Sequence, residues 1–537
     1  MSELSQQTQG LVKKFQSWYQ SNQKKTAPSS IHVDEVTSAL AAFYEKIREL
    51  VDWREEHLMR RAAIERILKR RLLLERKGKD TATPLVMELI RGGHFPNDKI
   101  PESKIPEVQR SLNKYVYLLD HHPSKQHKEG KKIRAFDWLL AIAACELEEI
   151  LSPPVREQAM IDFMTESMQK KITVREGSFV IGGMSQEEKD LQVYVAVQKA
   201  LFKLNDSIIN YNLLKKRYPN WINLTEDDQE VQSLANNIYE LWDYIEKTLN
   251  HPMAKKFYNI CERYDTPYLI LGDVISQNPT EAFNTLSNPE LFESKITDTY
   301  NKRLKKSRSK VNRAAFYATL SIFISKTLLA LAVEIPFDKY VTGQFDYLVL
   351  GLNIVIPPLL MFFLVLTIRP PKKENLQQVV IETVKIAYSK SEEETYVIKP
   401  SVKRGWLMNA SITIFYLATF IITFGLIIKG LLYLNFGIIS IIIFLIFISL
   451  ISFAGVKIRE RSRELEIVKR KESFIVFFID LFSLPIISMG KWLSSQWSRY
   501  NIIIVLINVL IDMPFQKLVE FLEQWRAFLR EKKEEIH

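Results

Sequence analysis

The chain has 537 residues, with 73 Lys and Arg against 62 Asp and Glu, a formal net charge of +11, and 47% hydrophobic and 11% aromatic residues. Its 17 glycines and 2 cysteines exclude a collagenous chain and a disulfide framework, and the apolar content excludes a wholly disordered one. Residues 1 to about 312 are charged and mixed, whereas most uninterrupted apolar runs follow Arg313.

The opening residues hold no apolar stretch followed by a small-residue cleavage site, so the N-terminal part is expected to remain in the cytoplasm. A long helix is expected from Asp34 to Arg76, where Val36, Leu40, Phe43, Ile47 and Leu50 recur at spacings of three and four. The same face turns polar at Arg54, His57 and Arg61 and becomes apolar again at Ile64, Leu68 and Leu72. With Glu56 and Glu65 alongside, the polar stretch reads as a salt-bridge lattice rather than a catalytic site. A helix from Lys104 to Leu119 leads into a hydrophilic loop carrying Asp120, His121, His122 and His127. Those side chains include metal-ligating types, but the H-E-x-x-H and paired E-x-x-H spacings are absent, so a solvated loop is expected. Phe136, Leu140, Ala143, Leu147 and Ile150 form one apolar helix face that Pro153 and Pro154 terminate.

ITV (172–174) and FVI (179–181), around Glu176-Gly177 and closed by Gly182-Gly183, predict a strand pair and a subdomain boundary. Ser185 with Glu188 predicts a capping box before the apolar series Val193 to Tyr211. Thr225 with Asp228 marks a second helix start before Val231 to Leu249, and the two are expected to pair antiparallel. Residues 265–300, with Asn-Pro at 278 and 288, read as capped turns and short helices. Cys145 and Cys261 lack C-x-x-C spacing and read as buried reduced thiols. The head thus divides into helical subdomains over 1–180 and 181–300.

A hydrocarbon core of roughly 30 Å needs about 20 apolar residues per helix. Four segments qualify: Ala314 to Glu334, Tyr347 to Ile368, Leu407 to Ile428 and Leu431 to Ala454, a bundle over 314–455. The segment before them, 301–313, carries Lys302, Arg303, Lys305, Lys306, Arg308, Lys310 and Arg313 without an acid. Basic residues also crowd the connection after the second span and the stretch after the fourth, whereas the alternate connections carry only Lys339 and Lys429. The positive-inside bias then places both termini in the cytoplasm and the bundle in the cytoplasmic membrane. Within 456–514, the apolar stretches 473–490 and 501–511 are short and interrupted, and a re-entrant or interfacial hairpin is favoured over two further spans. Residues 515–537 predict an amphipathic helix with Leu518, Val519, Leu522, Trp525 and Leu529 on one face.

The candidate intramembrane polar site is Lys326, Asp480, Asn508 and Asp512, since a charge at that depth costs at least about 2.5 kcal/mol unless it is paired or functional. Lys326 is expected to pair with Asp480. Pro357 and Pro358 are the candidate hinge of the second span, and the seven cations of 301–313 are candidate contacts for anionic lipid headgroups. No phosphate-binding glycine loop and no G-x-S-x-G turn occurs, so no catalytic, cofactor-binding or metal residue is assigned. The positive balance lies largely beside the membrane segments, which leaves nucleic acid without a specific signal. The expectation is a mainly α, polytopic membrane protein with a large N-terminal cytoplasmic helical domain, acting as a scaffold or interaction protein. Its expected partners are anionic membrane lipids and a cytoplasmic protein or a second copy of itself. The rival reading is a channel or transporter subunit regulated by its head, and a membrane-bound enzyme ranks third.

Overall fold

The computed structural model describes residues 4–23, 29–33, 56–74, 81–121, 129–175, 184–343, 346–366, 371–388, 395–399, 405–468 and 474–500, together with Phe521, Trp525, Phe528, Leu529 and Lys532. Most of these residues are helical. The head begins with α1 (Gln6–Gln23), α2 (Glu56–Leu74), α3 (Ala82–Arg91) and α4 (Lys104–His121). It continues through α5 (Glu129–Leu151) and α6 (Val155–Lys171), separated by Pro153 and Pro154 as expected. The N-terminal half of the expected 34–76 helix lies outside the described residues. Within α2, Ile64 and Leu68 are buried and Arg61 ion-pairs with Glu148 of α5.

The two long helices expected after residue 185 are each divided. The first becomes α7 (Gln186–Leu201) and α8 (Asp206–Arg217). Its start is the expected capping box, with Ser185 and Glu188 bonded reciprocally. It ends where Lys203 takes a left-handed φ of 52°, a backbone state that strand and helix cannot continue through, and the Asn205 side chain accepts from Ile208 N to start again. The second becomes α9 (Gln229–Asn236) and α10 (Ile238–Leu249), divided at Asn237. Apolar periodicity carried across both breaks because it records which face is buried, not whether the backbone is continuous. After α11 (Ala254–Gln277) and the short α12 (Ala282–Ser287), Asn288 caps α13 (Pro289–Leu329) by accepting from Leu291 N, with Pro289 at the first turn.

α13 is one helix of 41 residues, about 60 Å long at 1.5 Å per residue. It begins inside the head core, where Phe292, Ile296 and Tyr300 are buried, and runs on through the basic segment into the first apolar segment. Helical turns continue to Thr342, widened to π geometry over Ala330–Glu334 and Asp338–Thr342 around Pro336. Then come α14 (Tyr347–Leu366), α15 (Lys373–Ala387), α16 (Trp406–Tyr433), α17 (Ile438–Ser462) and α18 (Phe474–Tyr500). Five helices among the described residues are long and apolar enough to cross a membrane. Their outer faces carry exposed Phe316, Leu328, Trp406, Ile414 and Leu426, a continuous apolar surface suited to hydrocarbon rather than water. Residues 474–490, the described part of the first apolar stretch of the expected hairpin, lie in the unbroken 27-residue α18, which continues helical through the polar KWLSSQWSRY. Residues 501–511 lie outside the described residues.

The connections between the apolar helices also contribute to the head. β1 (Ile172–Val174) pairs in parallel with β2 (Tyr396–Ile398), Ile172 facing Tyr396 and Val174 facing Ile398. ITV is therefore a strand, as expected, but its partner lies more than two hundred residues downstream, and FVI lies outside the described residues. α15 buries Val379, Thr383 and Ile386 in the head, Ser5 N donates to Ala387 O at 3.1 Å, and Tyr388 OH donates to Leu286 O at 2.6 Å. Leu465 and Ile467, beyond α17, belong to the same core. Helices α13 and α14, and then α16 and α17, therefore leave this core and return to it from the same side.

Candidate functional site

Lys326 lies in the first apolar segment, and its Nζ donates to Glu334 Oε1 at 2.5 Å. Asn353 of α14 donates from Nδ2 to Glu334 Oε2 at 2.5 Å. All three side chains are buried, and Lys326 Nζ also stands 5.5 Å from the centroid of the Phe447 ring on α17. Eight residues of regular helix would set Lys326 and Glu334 about 12 Å apart. The two long side chains span that gap because the widened turn over 330–334 swings Glu334 back toward the preceding turns. Pro336 accounts for the widening, since it has no N–H for the carbonyl four residues before it. Pro357 likewise has no N–H for the carbonyl of Asn353. Asn353 Oδ1 is buried with no hydrogen-bond partner.

The expected Lys326 and Asp480 pair is corrected here, since Lys326 meets Glu334 and Asp480 is exposed on α18. Asn508 and Asp512 lie outside the described residues. Pro357 and Pro358, the expected hinge, are buried within an unbroken α14. Sequence reasoning missed Glu334 and Asn353. Glu334 closes the first apolar run eight residues after its lysine, and Asn353 is an amide in an otherwise apolar span, so both signals were present.

The seven cations expected to meet headgroups all lie on α13. Arg303 is fixed by Asp273 of α11, with Nε to Oδ2 at 2.6 Å and Nη2 to Oδ1 at 3.2 Å. Lys302, Lys305, Lys306, Arg308, Lys310 and Arg313 are exposed. A cavity of about 530 Å³ opens beside this helix against the end of α17. It shares Asp273, Ser276 and Arg303 with a cleft of about 580 Å³ that runs into the head past Arg61, Glu148 and Tyr211.

Deeper in the head, Glu146 accepts from Lys114 Nζ at 2.8 Å, Tyr115 OH at 2.8 Å and Trp221 Nε1 at 2.7 Å. Lys114 donates again to Trp221 O at 2.7 Å. Burial lowers the Lys114 pKa against the opposing pull of Glu146. With Lys114 and Glu146 both fully buried, the network acts as a structural lock between α4, α5 and the Trp221 turn. Asp265 of α11 is also buried, and desolvation raises its carboxyl to about 7 although Lys203 Nζ is 3.5 Å away. Cys145 and Cys261 are buried free thiols, and burial pushes Cys145 up to about 12, which leaves it inert as a nucleophile. His121 stacks on Tyr117, while His122 and His127 lie outside the described residues.

No family model, no curated protein and no solved structure matches this chain. The functional reading therefore rests on the geometry alone.

Proposed function

We propose that the protein is an integral membrane scaffold whose helical head faces the cytoplasm and presents an interaction surface there. The observation that carries this reading is the buried Lys326–Glu334 pair, to which Asn353 donates. A pathway for ions or protons needs polar groups that exchange partners with water or substrate, and here lysine and carboxylate satisfy each other in a buried site. The packing of α15, β2 and residues 465–467 into the head core supports the same reading, because it makes the bundle a fixed pedestal. The distribution of Lys and Arg supports the cytoplasmic placement. In liposomes the reconstituted protein should give no ion or proton flux above empty vesicles, and Glu334→Gln should lower thermal stability without altering flux. Flux that Glu334→Gln abolishes at unchanged stability would replace the scaffold with the transport reading.

One observation favours a second reading. Asp480 is exposed on α18 among exposed Phe477, Phe478 and Ile479, where a lone carboxylate in lipid is costly. Copies of the chain that met along α18 would bring these carboxylates together and line a polar path, as in a channel subunit. Crosslinking of Asp480→Cys in native membranes separates the two, since a monomeric scaffold gives no dimer through that position.

A further inference from the structure

The cavity of about 530 Å³ beside α13 selects among the cations of that helix. Its wall includes Lys302, Arg303, Lys306 and Lys310, with Arg461 approaching from the end of α17. Lys305, Arg308 and Arg313, equally basic and on the same helix, are not part of the wall. A plain topology signal would not distinguish the two sets, because it depends on the number of charges near the membrane and not on the face they occupy. Lys302, Lys306 and Lys310 follow one another at intervals of four and so share a helix face. No acidic side chain pairs with them among the described residues. Arg303 on the same wall is held in place by the two-pronged contact with Asp273. The acids of the wall are that Asp273 and Glu464, and Glu464 and Arg461 each have interactions of their own, so the excess of positive charge rests on Lys302, Lys306 and Lys310.

Depth narrows the ligand. The apolar run begins at Ala314, so Lys310 stands about 6 Å and Lys302 about 18 Å from it along the helix. The headgroup layer of one leaflet is only about 6 Å thick. The phosphodiester of an ordinary lipid reaches the Lys310 end and stops there. The walls around Lys302, Arg303 and Lys306 need an anion that projects further from the membrane. We propose that this pocket binds a terminal phosphate group carrying close to two negative charges, held either as the phosphomonoester of an inner-leaflet lipid headgroup or by a small soluble phosphate. Such a group offers several acceptor oxygens and close to two negative charges, which clustered lysine and arginine donors match. The depth of the pocket below the apolar run and the leaflet it faces rest on the membrane reading, and the anion site itself rests on the lining of the cavity alone. A chain that failed a cysteine-labelling test of topology but kept pocket-specific binding would lose the orientation and keep the anion site.

The test uses the full-length protein in phosphatidylcholine nanodiscs, titrated with short-chain phosphatidylinositol 4-phosphate and, separately, with inorganic pyrophosphate. Saturable binding is expected for at least one probe, with hydrogen-exchange protection over 302–310. The triple variant Lys302→Gln, Lys306→Gln, Arg461→Gln should weaken binding about tenfold or more, as the loss of several charge-assisted bonds implies. The triple Lys305→Gln, Arg308→Gln, Arg313→Gln removes the same charge and should cost less than about threefold. Binding of the lipid alone assigns the lipid source, and equal binding with mutual displacement by pyrophosphate assigns a soluble one. Equal losses in the two triples, or no saturable binding of either probe, overturns the site. Should the pocket triple fail to fold, Arg461→Gln alone, weakening binding about threefold, serves in its place.

Discussion

Asn375 and Ile467 meet across the base of the head, where Ile467 N donates to Asn375 Oδ1 at 2.8 Å. The other end of the same amide donates to Leu465 O at 2.7 Å and to Tyr300 OH at 2.9 Å. One buried side chain in the connection after α14 thus joins the helix that enters the bundle first to the segment that leaves α17. It uses both ends of its amide in doing so, which ties α15 and residues 465–467 of those connections into the head.

Removing that amide should be costly. Asn375→Ala leaves the Leu465 carbonyl and the Ile467 N–H buried without their partner, at about 1 to 3 kcal/mol for each unsatisfied group. A loss of roughly 2 to 4 kcal/mol is expected in chemical unfolding of the detergent-solubilised protein followed by tryptophan fluorescence. A change within about 0.5 kcal/mol, the range of ordinary surface substitutions, would mean that water replaces the amide and that the three segments are held by apolar packing alone.

Lys326 and Glu334 should behave as a unit. Breaking a buried pair by removing one partner leaves an uncompensated charge and costs about 3 to 5 kcal/mol, whereas replacing both with apolar residues of similar volume is often close to neutral. Lys326→Met and Glu334→Leu should therefore each lower stability strongly and the double variant much less. Lys326→Met combined with Asp480→Asn should simply add, because those residues do not touch. Coupling in the second cycle and additivity in the first would reinstate the pairing expected from sequence.

How much of the fold is legible in the sequence depends on distance along the chain. Local signals were legible: the Ser185 box, the proline stop after Leu151 and the apolar spans depend on neighbours within a turn or two, whereas 265–300, read as capped turns and short helices, holds the end of the 24-residue α11 and the start of the 41-residue α13. The partner of the strand ITV was not legible, because parallel pairing with 396–398 is decided by where two pairs of long helices return the chain. The polar cluster among the apolar helices was half legible. Lys326 stands out in any apolar run, but its partner depends on a π turn that Pro336 induces, and a spacing of eight is not one that regular helix geometry recommends. Lys114 and Glu146 were hidden for a different reason: each occupies a position on a helix where a solvated charge is the ordinary expectation, and burial follows from tertiary packing.

Asp265 should make stability depend on pH. Its carboxyl titrates near 7 in the folded head, raised by burial, against an ordinary value of 3.8. Between those values the folded chain keeps a proton that the unfolded chain has released. The contribution of the protonated side chain is therefore complete below about pH 4 and declines as pH rises through 7, by on the order of 4 kcal/mol. Asp265→Asn stays neutral throughout, so its melting temperature should lie closest to wild type below about pH 4 and gain on it as pH rises to 7.5. Parallel curves for the two proteins would show that the carboxylate is already ionised in the fold.

At Gly490, α18 packs directly on the backbone of α17. A Cβ built there would overlap Ser449 O and lie 2.6 Å from Ser449 C and 2.9 Å from Phe453 Cβ. Two of those neighbours are backbone atoms of a helix that cannot move without its own hydrogen bonds, so no side-chain rotation relieves the overlap. Small residues at such crossings are what let transmembrane helices pack on one another, where the hydrophobic effect offers little help. Gly490→Ala should separate the two helices and destabilise the bundle by about 1 to 3 kcal/mol or more. Gly425→Ala is the matched control: that glycine faces outward on α16 with nothing within 4 Å of the added carbon, and alanine favours helix by up to about 1 kcal/mol. Melting temperatures in a mild detergent should fall for the first variant and hold or rise for the second. Equal temperatures would mean that α18 does not cross α17 at this point, and the fifth apolar helix would have to be placed elsewhere on the bundle.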